Sequence, residues 1–196
     1  MRFNSKTAIY ALGFAALAAG FASCKKDDNN PQPVEQELIT TLKLTFLEDV
    51  AGATPQSFIY KVENGFNNTS AGTVQADTIR LLPNRNYVVT ADVYNEKETP
   101  VDTISYEIME ENEAHLFFYL PNPITGAGSV APIPGTGNLD DGGKPLNMKL
   151  QMATGTAGVG SLQMYLIHEP TDKTGTTRAT IGGETDAEAT FPVRIQ

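Results

Sequence analysis

The chain has 196 residues, with 14 Lys and Arg against 23 Asp and Glu, a formal net charge of −9 and one cysteine. That acidic balance repels phosphate backbones and anionic headgroups, which excludes a nucleic-acid partner. A lone cysteine also excludes an internal disulfide framework.

Arg2 and Lys6 precede a stretch from Ala8 to Ala22 with no charged side chain. This pattern predicts a secretory leader over residues 1–23, with an apolar run of about 15 residues. A permanent span would need roughly 20 apolar residues to cross a ~30 Å hydrocarbon core. The leader closes on Phe21-Ala22-Ser23-Cys24. Small residues before a cysteine resemble the lipobox of bacterial lipoproteins, which implies that Cys24 carries acyl chains and becomes the mature N-terminus. With Cys24 acylated, no thiol remains for metal ligation or nucleophilic attack.

Residues 24–37 are polar and broken by Pro31 and Pro33, a composition that predicts a flexible tether. Its opening run, Lys25, Lys26, Asp27 and Asp28, resembles the surface-export signal of Bacteroidota lipoproteins. The implied address is the outer membrane, lipid-anchored and facing outward, with the periplasmic face as the alternative.

Residues 38–196 are expected to form a single domain. Leu42, Leu44 and Phe46 alternate with polar residues, and so do Phe58, Tyr60 and Val62. Such period-two patterns predict strands. Further strands are expected over 78–82, 86–94, 101–109, 115–120, 146–152, 161–168 and 188–195. The stretch EIMEENEAHL, 107–116, is also rich in helix formers and leaves a helical turn open. With about nine short strands and no sustained helical stripe, the expected fold class is all-β, an antiparallel immunoglobulin-like β-sandwich. Residues 121–144 are dense in proline and glycine and predict a long irregular loop along the sandwich.

Chemistry is sparse. There is no Gly-x-Ser-x-Gly elbow and no His-Glu-x-x-His pair. No spacing singles out an acid and a base among the many carboxylates, so the chain is not expected to be an enzyme. His115 and His168 are the only histidines, and both share strand parity with core positions. The plain reading is two histidines satisfied by neighbouring carbonyls or carboxylates. The sharper one joins them to Glu113 and Glu169 as a divalent metal site, since imidazole and carboxylate suit zinc and similar ions. Without that metal, no cofactor is expected. Asp140 and Asp141 miss the register of a standard calcium loop and read as solvated turn carboxylates. Asp77-Thr78-Ile79 and Asp102-Thr103-Ile104 resemble the Asp-Thr-aliphatic acceptor of Bacteroidota O-glycosylation, which implies sugar on Thr78 and Thr103.

The segments LITTLKLTF (38–46), NRNYVVTADVYNEKETPVDTISYEI (84–108), NEAHLFFY (112–119), GSLQMYLIHEP (160–170) and GGETDAEATFPVRIQ (182–196) together resemble a group of small, uncharacterised Bacteroidota lipoproteins. The resemblance rests on Glu113-x-His115, on His168-Glu169-Pro170 and on Glu184 to Asp186. It implies an exported all-β domain with no assigned activity. The sequence leads to the expectation of an outer-membrane lipoprotein that binds or supports an envelope protein or glycan without catalysis. A metal-binding module centred on His115 and His168 is the alternative.

Overall fold

The computed structural model describes residues 37–196. In chain order the elements are β1 (Thr41–Glu48), β2 (Gln56–Val62), β3 (Val74–Ala76), β4 (Ile79–Leu81), β5 (Asn86–Tyr94), α1 (Ser105–Glu110), β6 (His115–Asn122), β7 (Val130–Pro132), β8 (Lys149–Thr154), β9 (Gly158–His168), α2 (Arg178–Ile181) and β10 (Glu184–Ile195). They build the expected all-β sandwich. One sheet has the order β3-β2-β1-β5-β8-β7 and the other β4-β10-β9-β6. Among the described residues, no helix is long and apolar enough to cross a membrane.

Alternation decides which side chains enter the space between the sheets. Leu42, Leu44 and Phe46 of β1 are fully buried, as are Tyr87, Val89, Ala91 and Val93 of β5. Leu162, Met164 and Leu166 of β9 and Phe191 of β10 meet them in one core cluster. Phe46 packs edge-on against Phe58 and Tyr87, and Tyr60 reaches from β2 to Phe191 on β10 at 5.7 Å between ring centroids. Each such side chain contributes about 1.5–3 kcal/mol by leaving water, and the Tyr60–Phe191 contact adds an edge-on aromatic pair between the two sheets.

Four features differ from the sequence expectation. Residues 101–109 are not a strand. Asp102 makes only an isolated bridge to Asn95, after which the chain turns into α1. The physical signal is the spacing of Ile104 and Ile108, four apart and both buried, while Val101, Tyr106 and Met109 are exposed. Ser105 holds the start of this helix against β5, its hydroxyl accepting from the Val93 N–H at 2.7 Å and donating to the Val93 carbonyl at 3.3 Å.

The strand expected over 146–152 begins at Lys149. Asn147 stands at φ 59, and the N–H groups of Leu146 and Asn147 both donate to the Asn138 carbonyl, so the chain is still turning there. β3 and β7 were not expected. Each is a three-residue edge strand, too short to show a period, and β7 lies inside the proline-rich 121–144 stretch. Finally, not every pairing is antiparallel, because β4 runs parallel to the end of β10 through Ile79, Arg80 and Leu81.

Candidate functional site

The motif residues of the sequence are brought to one end of the sandwich. His115 opens β6 and is paired across the ladder with His168, the last residue of β9. His168 is in turn the cross-strand partner of Glu184, the first residue of β10. The two imidazoles stack at 4.9 Å between centroids and 15° between planes.

Local structure explains this placement. After α1, a 3-10 turn over Asn112–Ala114 feeds the chain into β6. The Glu111 carbonyl reaches His115 Nδ1 at 3.0 Å. After β9 the chain turns sharply at Glu169, φ 46, whose N–H donates to the Ala114 carbonyl at 2.7 Å. His115 is 8% exposed. Burial, and the neighbouring His168, hold its pKa below the ordinary histidine value, while the Glu111 carbonyl and the charges of Asp186 and Glu111 oppose that shift.

Beside the histidines lies a buried ion pair. Lys173 Nζ stands 2.5 Å from Asp140 Oδ2, with the two side chains 4% and 2% exposed. The ammonium also donates to the Asn112 carbonyl at 2.8 Å, and the other carboxylate oxygen of Asp140 accepts the Lys144 N–H at 2.7 Å. Burial pushes the Asp140 pKa up, but Lys173 and the backbone N–H groups outweigh it, and the carboxyl sits below its ordinary range. Asn112 completes the junction, donating to Asp141 Oδ2 at 3.2 Å and accepting the Asp141 N–H at 2.8 Å. Three segments therefore converge on one polar node: the turn before β6, the β7–β8 connection and the β9–α2 connection.

Two concavities flank the node. A cleft of about 170 Å³ is lined by Glu113, Asp140, Lys144, Asp172 and Lys173. A wider groove of about 500 Å³ runs along β6, lined by Leu116, Phe118, Pro132, Pro134, Leu139 and Pro145, with Thr174 and Thr176 at one side. Phe118 also lies 6.3 Å from Tyr165 on the neighbouring strand. Leu139 is 59% exposed, which leaves an apolar rim open to solvent.

Of the expected site residues, His115 and His168 are in contact. Glu113 lines the small cleft with Asp140 and Lys173, and Glu169 is an exposed turn residue. Among the described residues, no group of three or more His, Cys, Asp or Glu side chains is arranged to hold a metal ion. Asp140, read from sequence as a solvated turn carboxylate, is instead buried. Thr78 and Thr103 are half-buried, just before β4 and α1 respectively. Cys24 and the run Lys25 to Asp28 lie outside the described residues. Sequence reasoning missed Lys173. Nothing in the turn Thr171-Asp172-Lys173-Thr174-Gly175 marks its lysine as buried, since the partner is 33 positions away.

The fold and the node thus define a two-sheet β-sandwich with an apolar groove beside a buried ion pair. No family model, no curated protein and no solved structure matches the chain.

Proposed function

We propose that this chain is an outer-membrane lipoprotein, held at the cell surface by acyl chains on Cys24, whose sandwich is a non-catalytic module for an envelope protein or glycan. The observation that carries the binding part is the groove along β6. Its volume, about 500 Å³, falls in the range of ligand sites. Aromatic and proline side chains supply apolar contact there, and Asn147, Thr174 and Thr176 supply hydrogen-bonding groups. Among the described residues its lining carries no imidazole or carboxylate, and its one ammonium, Lys173, is already bound to Asp140. Such a lining favours adhesion over acid–base chemistry.

The anchor rests on the leader and the lipobox-like Phe21-Ala22-Ser23-Cys24. Each buried methylene adds about 0.8 kcal/mol, so several acyl chains hold a domain that does not insert by itself. Fractionation tests both parts of the address. Cys24→Ser is expected to release the protein from membranes, and scrambling residues 25–28 to leave it anchored but protected from external protease. Membrane retention of Cys24→Ser would refute the anchor.

The metal reading has one observation in its favour, the contact between His115 and His168. In near-parallel stacked rings, however, the in-plane lone pairs point along parallel planes and do not converge on one ion. Joint ligation would require a ring to leave the stack. We therefore place binding in the groove.

A further inference from the structure

The Lys173–Asp140 pair holds an amine beside a carboxyl group out of water. The amine stands 2.5 Å from one oxygen of a carboxyl group, with both side chains almost wholly withdrawn from water. The Asn112 carbonyl fixes the direction of Nζ at 2.8 Å. The second carboxyl oxygen, Oδ1, is held by the Lys144 N–H at 2.7 Å. Backbone N–H groups aimed at a carbonyl oxygen are what stabilises the oxyanion of a tetrahedral intermediate. One structure thus presents a nucleophile, an electrophile and an oxyanion pocket together.

We propose that Lys173 and Asp140 condense into an intramolecular isopeptide bond. The charged pair first exchanges a proton, from Nζ to Oδ2, giving a neutral amine and a neutral acid. Burial works toward those neutral forms, against the hydrogen bonds that hold the charged pair. The Nζ lone pair then forms a bond to Cγ, and the carbonyl π pair moves onto Oδ1 against the Lys144 N–H. Collapse of that intermediate breaks the Cγ–Oδ2 bond. Oδ2 departs as water, carrying the proton it already holds and a second one from Nζ. The products are one amide and one water, with no oxidant or co-reactant.

Condensation is disfavoured between separate solutes in water, but fixed neighbours react with effective molarities on the order of 10⁵–10⁸ M. The released water has an exit in the adjoining cleft. The hydrogen bonds to Lys173 and the Lys144 N–H hold the pair until it reacts, and the reaction occurs once per molecule.

The consequence is mechanical. Asp140 precedes β8 in the six-stranded sheet, and Lys173 follows β9 in the four-stranded sheet. A covalent link between them staples the two sheets at the histidine end. It also replaces a buried ion pair, which is costly to desolvate, by a neutral amide.

The test is peptide mapping of the mature full-length protein, extracted from membranes, denatured and digested. The expected product is a branched peptide joining the Asp140 and Lys173 segments, lighter by one water than the two together. Lys173→Arg and Asp140→Ala should each yield only linear peptides. If the wild-type protein gives only linear peptides, and its Lys173 amine reacts with an acylating reagent after denaturation, the proposal is wrong. A branch from Lys173 to another carboxylate would also overturn it. Since the decisive measurement is on the wild-type chain, misfolding of either variant does not affect it.

Discussion

His115 and His168 stack face to face across the β6–β9 ladder, 4.9 Å apart, at the point where the polar turn before β6 meets the end of β9. A proton on His115 would sit in a buried ring and against His168, and both effects disfavour it.

A pH dependence follows. Burial first, and then His168, hold the His115 pKa below its ordinary 6.5. The unfolded chain therefore binds the proton more readily than the folded one. The stability tied to this group is complete above pH 6.5 and is lost as pH falls through the depressed folded value. Glu37 works in the opposite sense. Partial burial of its carboxyl on an otherwise exposed residue, and then contact with Glu107, push its pKa up to about 8, so its contribution declines as pH rises from 4.5 to about 8. The measurement that separates them is the difference in urea midpoint between the wild type and His115→Gln at pH 7.5 and at pH 5. The wild type should lose more stability on acidification than the variant. Parallel losses would show that His115 does not carry the effect.

Metal content is a second readout of the same pair. With stacked rings and both flanking glutamates exposed, the wild type, His115→Ala and His168→Ala should carry the same zinc after equilibration and gel filtration. A stoichiometric ion in the wild type, lost in both variants, would establish the metal reading instead.

The core gives a magnitude. Phe46 is fully buried and meets Phe58 and Tyr87 edge-on. Phe46→Ala removes apolar contact and leaves a cavity, which should cost about 3–5 kcal/mol. Val159 is 68% exposed, and Val159→Ala should stay within about 0.5 kcal/mol of the wild type. Denaturant melts of the two variants check both values.

Much of this core was legible because alternation is local. Asn86 to Tyr94 could be read as a strand from its own residues, and it forms β5 over that same range. Residues 101–109 show the limit. Their alternating pattern coexists with the four-residue spacing of Ile104 and Ile108, and the tertiary bond from Ser105 to Val93 helps settle the helix. The site was legible only in part. Ladder parity placed both histidines toward the interior, but their register is set by β6 and β9, 53 residues apart at that pair. The lysine–aspartate node left no trace, because burial of each charge depends on a partner in a distant loop. Edge strands of three residues are likewise formed by their neighbours and carry no period of their own.

A tight backbone constraint against β9 itself is at Gly128. Gly52 and Gly128 share φ 79, a region where any other residue is strained by about 1–2 kcal/mol. Their surroundings differ. A Cβ on Gly52 would meet nothing within 4 Å, whereas one on Gly128 would lie 2.3 Å from the Val159 carbonyl oxygen and 2.7 Å from its nitrogen. Val159 is held in the ladder to Arg194 of β10, and laddered backbone cannot rotate aside as a side chain does. Gly52→Ala should therefore show the conformational penalty alone. Gly128→Ala should exceed it by at least as much again, with local loss of amide protection around Val159 in hydrogen exchange. Equal destabilisation of the two variants would mean that the loop before β7 yields easily and does not press on β9.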